Sequence, residues 1–200
     1  MQKIVKLSIL LASLSSLTAC FPIAVAGTAV VGTAIVEERS AGDKLDDNII
    51  AIKIRDKYAN EEFSELLARI SVAVHEGRVM LTGSVKEDRF AKQAVELAWE
   101  VQGVKEVINE MEVSPRGAKE YAKDTFIANT VRSKLLFDND IQSVNYKIET
   151  NNGVVYILGI AQTQDELNKA IQIARSIKGV KKVVNHVILK DDSRRKKEIS

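Results

Sequence analysis

The sequence predicts an α+β protein of two tandem αββαβ units, each a three-stranded mixed sheet with two helices on one face. Three observations predict it. First, the chain repeats itself. At an offset of 76, Gly77, Gly83, Ala94, Ala98, Gly103, Val104, Lys105, Val107 and Asn109 meet Gly153, Gly159, Ala170, Ala174, Gly179, Val180, Lys181, Val183 and Asn185. At an offset of 77, Asp47, Ile50, Ala51, Arg55 and Lys57 meet Asp124, Ile127, Ala128, Arg132 and Lys134, so one residue is inserted or lost between the two blocks. Second, the apolar period changes in the same order in each copy, from helical to alternating, back to helical and again to alternating. Third, glycines fall where those periods change.

The elements follow in order. Asp46-Asp47, suited to capping, precedes Ile50, Ile54 and Tyr58 at helical spacing. Ile70, Val72 and Val74 then alternate with polar residues, His75-Glu76-Gly77 turns the chain, and Val79 and Leu81 run on to Gly83 as a hairpin partner. Ala91, Ala94, Val95, Ala98 and Val101 restore helical spacing, Gly103 stops the helix, and Val107, Asn109, Met111 and Val113 make the last strand. The second copy repeats this through Ile127, Val131 and Leu135, Tyr146 and Ile148, Asn152-Gly153, Val155 and Ile157, the helix from Leu167 to Ile177, and Val183 to Leu189. The crossover through the second helix predicts a last strand parallel to the second and beside the first. A three-stranded sheet is marginal alone, and Ser114-Pro115-Arg116-Gly117 is a short connection, so the copies are expected to touch.

Ahead of the repeats, Lys3 and Lys6 precede an apolar run from Leu7 to Leu14, too short to span a bilayer and typical of an export signal. It ends at Leu17-Thr18-Ala19-Cys20, which resembles the bacterial lipobox. The resemblance implies acylation of Cys20 and anchoring by the membrane burial of its acyl chains, at about 0.8 kcal/mol per methylene. Cys20 is the chain's one cysteine, so an internal disulfide is excluded. Phe21, rather than Asp, after the cysteine is compatible with sorting to the outer membrane, with the domains facing the periplasm. The expected organisation is a leader at 1–19, a lipidated small-residue tether at 20–45, a first domain at 46–113, a linker at 114–122, a second domain at 123–190 and a basic, disordered tail at 191–200.

Gly103-Val104-Lys105-Glu106-Val107-Ile108-Asn109, its counterpart Gly179-Val180-Lys181-Lys182-Val183-Val184-Asn185, and the αββαβ order resemble the BON domain of bacterial envelope proteins. With the lipobox and tether, the whole chain is similar to the dual-BON outer-membrane lipoproteins of Gram-negative bacteria. That resemblance implies binding of anionic phospholipid through the second domain, and roles in envelope integrity and at the division site. It implies no catalysis.

The residue inventory agrees in pointing away from an enzyme. His75, in the expected turn, and His186, in the last strand, read as surface histidines without metal-site spacing around them. There is no Gly-rich phosphate loop or nucleophile elbow, and no cofactor or small-molecule substrate is implied. Asn109 and Asn185, polar residues repeated inside apolar strands, are expected to make structural hydrogen bonds. Export and a mature chain with 27 basic and 27 acidic residues argue against nucleic acid.

Charge separates the copies. Residues 46–113 carry 9 basic and 14 acidic side chains, residues 123–190 carry 10 basic and 6 acidic, so the second domain is the one drawn to anionic surfaces. On a wheel of about 100° per residue, Ile127, Ala128, Val131 and Leu135 form the core face of its first helix, while Phe126, Thr130, Ser133 and Phe137 point the opposite way. Lys123, Asn129 and Leu136 lie on one flank and Lys134 on the other. Aromatic rings rimmed by lysine suit a helix lying at a bilayer surface. Phe126, Phe137, Lys123, Lys134, Arg132, Thr130, Ser133 and Leu136 are therefore the expected phospholipid contacts. The family often has tryptophan where Phe126 stands. The same face could instead dock a protein, such as outer-membrane assembly machinery. In the first copy the matching positions hold Ile49, Lys53, Asp56 and Asn60, a poorer apolar surface.

Overall fold

The computed structural model describes residues 41–59, 69–115 and 117–195. Cys20, the expected leader, the tether up to residue 40 and the tail beyond Arg195 lie outside them. The elements are α1 (Ala41–Tyr58), β1 (Ile70–His75), β2 (Arg78–Val85), α2 (Asp88–Trp99), β3 (Glu106–Val113), α3 (Ala118–Leu136), β4 (Tyr146–Asn151), β5 (Val154–Ala161), α4 (Gln164–Ser176) and β6 (Lys182–Leu189). Short 3-10 turns sit at Ser143–Asn145 and Ser193–Arg195. No helix among the described residues is long and apolar enough to cross a membrane.

Each copy is the expected α+β unit with a mixed three-stranded sheet. β1 and β2 pair antiparallel, β2 and β3 pair parallel, and the order is β1-β2-β3, repeated as β4-β5-β6. The last strand is indeed parallel to the second, but it lies beside the second, not the first. The reason is reach: α2, of 12 residues, sets the chain down at the free edge of β2, whereas the far side of β1 would require crossing another strand.

Ile50, Ile54, Val72, Val79, Leu81, Ala94 and Ala98 bury one face of the first sheet under α1 and α2, where the Tyr58 hydroxyl donates to the Ala94 carbonyl at 2.7 Å. Ile127, Val131, Leu135, Ile148, Val155, Ile157, Ala170 and Ala174 do the same in the second copy. The opposite faces of the two sheets meet each other, through Ala73, Met80, Tyr156 and Leu158 with Ile108, Val154 and Val184 around them. The copies therefore touch, and the layers run helix, sheet, sheet, helix. Large apolar side chains fully buried here contribute about 1.5–3 kcal/mol each, against about 0–1 kcal/mol for a solvent-exposed ion pair. The apolar layer, rather than the charged rim, holds the copies together.

Several polar groups of this layer pair across it. Asn151 donates through Nδ2 to the Gly83 carbonyl at 3.1 Å and accepts from Ser84 Oγ at 3.1 Å. His186 Nε2 lies 2.7 Å from Glu110 Oε1. Neither histidine is the surface residue the sequence suggests. The hairpin turn is only Glu76-Gly77, both at positive φ as a type I′ turn requires, so His75 stays in β1 opposite Arg78 and is buried. His186 is half-buried because its strand face is covered by the other sheet.

The aspartates expected at the helix starts do something else. α1 begins at Ala41, so Asp47 is inside it, and its two carboxylate oxygens accept from the Glu76 and Gly77 amides, each at 2.8 Å. Asp124 does the same for Asn152 at 2.7 Å and Gly153 at 2.8 Å. Each first helix is thereby pinned to the hairpin it covers. Asn109 and Asn185 make the expected structural bonds, accepting from the backbone amide two residues on, Met111 at 3.1 Å and Val187 at 2.9 Å. α3 reaches back to Ala118, into the expected linker, and the described part of the expected tail includes Arg195, whose guanidinium forks onto Glu76 at 2.9 and 3.1 Å.

Candidate functional site

α3 presents two faces. Ile127, Ala128, Val131 and Leu135 are buried in the second core. On the other side Phe126 is 69% exposed, Leu136 63% and Phe137 83%. Phe137 is the C-cap residue, its amide donating to the Ser133 carbonyl at 3.1 Å. The loop that follows is clamped by Lys169, whose Nζ lies 2.7 Å from both Asp138 Oδ1 and Asp140 Oδ2. The Lys169 hydrogen bond holds the Asp138 carboxyl below its ordinary range. The ring at the helix end is thus carried by a braced loop.

Lys123 and Lys134 are exposed and have no ion-pair partner among the described residues. Ser133 is exposed beside them, while Thr130 is half-buried with its hydroxyl donating to the Phe126 carbonyl at 2.8 Å. Arg132 departs from the expected group. Its guanidinium donates to the Ile148 carbonyl and to Asn129 Oδ1 and lies 3.5 Å from Glu149, while the side chain stays 46% exposed. Arg55, its counterpart in the repeat, likewise donates to the Val72 carbonyl, at 2.9 Å. This position ties the helix to the first strand in both copies.

The sequence reading missed Tyr121, which is 62% exposed on the first turns of α3, because those residues were placed in a linker. Helix-forming residues from Ala118 to Lys123 were the available signal. It also missed a cleft of about 570 Å³ between the copies, lined by Arg55, Arg69, Tyr121, Arg132, Glu149 and Thr150 among others. Residues distant in sequence make it, so no local pattern announces it. In the first copy, Ile49 and Ile52 of α1 are exposed at 39% and 63% and Trp99 at the end of α2 at 51%, with the charged Lys53 and Asp56 among them on α1. No group of three or more His, Cys, Asp or Glu suited to a metal occurs among the described residues.

Two sheet-bearing units of identical topology, each with a positive-φ glycine at the helix stop and in the second strand, define a tandem module. Both units match the BON domain, over residues 46–115 and 123–191, and the chain belongs to the BON-domain family. It is 33% identical over 180 residues to the outer membrane lipoprotein DolP of Haemophilus influenzae, covering 90% of this chain and 93% of that one. It is 41% identical over 156 residues to an uncharacterised protein in the gshII 5′ region of Anaplasma centrale, covering 76% of this chain and all of that one. It is also 34% identical over 149 residues to the osmotically inducible protein Y of Escherichia coli, covering 72% and 73%.

Proposed function

We propose that this chain is an outer-membrane lipoprotein that binds anionic phospholipid with the outer face of α3, and that it works by binding rather than catalysis. Acyl chains on Cys20 anchor it, the segment between Cys20 and the start of α1 gives it reach, and the domains face the periplasm. The observation that carries the lipid reading is the pair Phe126 and Phe137, exposed at 69% and 83% beside lysines without ion-pair partners among the described residues. Rings of this kind enter the headgroup boundary, and each lysine near an anionic surface adds about 1 kcal/mol. Phe126, Phe137 and Leu136 supply the apolar contact, Lys123 and Lys134 the charge, and Ser133 and Thr130 lie between. Arg132, hydrogen-bonded to the Ile148 carbonyl with its side chain still 46% exposed, adds positive charge to this face. Similarity to DolP supports the outer-membrane assignment, and the family resemblance extends the proposal to envelope integrity and to the division site.

Co-sedimentation of residues 40–200 with vesicles tests the lipid reading. Phosphatidylglycerol vesicles should carry down the wild type but not Phe126→Glu, and phosphatidylcholine vesicles should carry down neither. Equal binding to the two lipids, or undiminished binding by the variant, overturns it.

A further inference from the structure

The cleft between the two copies is a second candidate site, separate from the exposed face of α3. Its walls come from both domains: Arg55 and Arg69 from the first, and Arg132, Thr150 and the start of α3 from the second. Its charges do not cancel locally. Arg69 makes no hydrogen bond or ion pair among the described residues, and Arg55 is engaged only by the Val72 carbonyl. Arg132 alone meets a carboxylate, Glu149, which also accepts from Ser71 Oγ at 2.9 Å. The other acidic group of the lining, Asp124, has both oxygens on the hairpin amides of Asn152 and Gly153. The Thr150 hydroxyl is buried in the wall without a hydrogen-bond partner. The cleft also receives the N-terminus of α3, a 19-residue helix whose N-cap, Gly117, offers no side-chain acceptor.

Unspent guanidinium donors, an unpaired hydroxyl and the positive end of a helix together recognise an oxyanion. Their number favours phosphate over carboxylate, since a carboxylate has two oxygens and a phosphoester up to three free ones to divide among donors on separate walls. We propose that the interdomain cleft binds the phosphate group of a small phosphoester, either soluble or carried as a lipid headgroup. Glu120 is the competing anion. Its carboxylate lies over Gly117, 2.8 Å from where a Cβ would stand there, and must swing aside into solvent when phosphate enters.

The test uses the full chain in neutral detergent, titrated calorimetrically with inorganic phosphate and glycerol 3-phosphate. In parallel, phenylglyoxal modification of Arg69 is read by mass spectrometry, with the exposed Arg175 of α4 as internal reference. Phosphate should protect Arg69 and leave Arg175 reactive. Arg69→Gln should weaken binding about tenfold, the loss expected for one charge-assisted hydrogen bond, and Glu120→Gln should strengthen it. Phe126→Glu should leave it unchanged, which separates failure here from failure of the lipid face. Protection by free glycerol 3-phosphate assigns a soluble ligand. Protection by phosphatidylglycerol vesicles alone assigns a headgroup. An Arg69 that reacts equally in every arm, or an Arg69→Gln variant that binds phosphate like the wild type, overturns the proposal.

Discussion

Removing the carboxylate of Asp47 or Asp124 should unfasten a helix from its hairpin. Asp47 is 5% exposed and Asp124 2%, and each carboxylate accepts two backbone amides at 2.7–2.8 Å. Two of the four residues so held, Glu76 and Asn152, are non-glycines at φ of 54° and 51°, a conformation that costs energy unless the surroundings enforce it. A hydrogen bond to a charged group contributes about 1.5–3 kcal/mol. The two share one acceptor group and water reaches part of the turn, so Asp47→Ala should cost about 3 kcal/mol rather than the full sum. Asp47→Asn keeps one oxygen but aims an NH2 at the other amide, and should cost at least half as much. Urea unfolding of each variant, with the matching pair at Asp124, measures this. An alanine variant within about 1 kcal/mol of wild type, or an asparagine variant as stable as aspartate, refutes the reasoning.

Two further outcomes follow from packing and burial. A Cβ on Gly83 would stand 2.1 Å from the Arg69 carbonyl oxygen at φ +133°, and one on Gly159 2.0 Å from that of Asn145 at φ +152°, so either alanine should cost about 3 kcal/mol or more, measured as a drop in urea midpoint. Gly117→Ala, whose Cβ would meet only the flexible Glu120 side chain, should stay near wild type and serves as the control. Burial holds the Tyr58 and Tyr146 hydroxyls well above their ordinary range, and burial with the Glu112 and Glu110 carboxylates pushes Tyr156 up to about 12. The folded state thus favours the neutral phenols, so the contribution of these three groups to stability should be constant below about pH 10, where unfolded tyrosine ionises, and fall as pH rises above it. Phenolate absorbance should show Tyr58 and Tyr146 ionising only with unfolding, and Tyr156 not below about pH 12 while the chain is folded. Reversible titration of Tyr58, Tyr146 and Tyr156 near pH 10 in a folded chain would contradict their burial.

Much of this was legible because the repeat doubles every signal. Gly77 and Gly153 marked the same turn twice, and the wheel that placed Phe126 away from Ile127 and Val131 needed only periodicity. What was not legible depends on contacts between distant residues. Asp47 looked like a helix cap because aspartate near an apolar run usually is one; its partners at Glu76 and Gly77 are 29 and 30 residues away. His75 looked exposed because a turn was expected to consume it. The outer sheet faces mix polar and apolar residues, Ser71 with Ala73 and Thr82 with Met80, which reads as a solvated surface until a second sheet covers it.

The docking of the two sheets also explains why the copies differ where they do. Glu110 and His186 are equivalent positions of the repeat, and they face each other at 2.7 Å, as residues do across a twofold axis. Met80 with Tyr156 and Ile108 with Val184 are equivalent pairs in the same layer. In a symmetric pairing of identical units, a glutamate there would confront a glutamate. One chain carrying both units can place a carboxylate against an imidazole instead, which a homodimer cannot. The same freedom acts on the outside. Because the sheets cover each other, both pairs of helices face outward, and α1 and α3 can diverge without disturbing either core. α1 carries Lys53 and Asp56 among its exposed isoleucines, while α3 carries two phenylalanines flanked by lysine. Packing restrains the inner layer, so the difference between an acidic first unit and a basic second one falls largely on surfaces that a membrane or a ligand can reach.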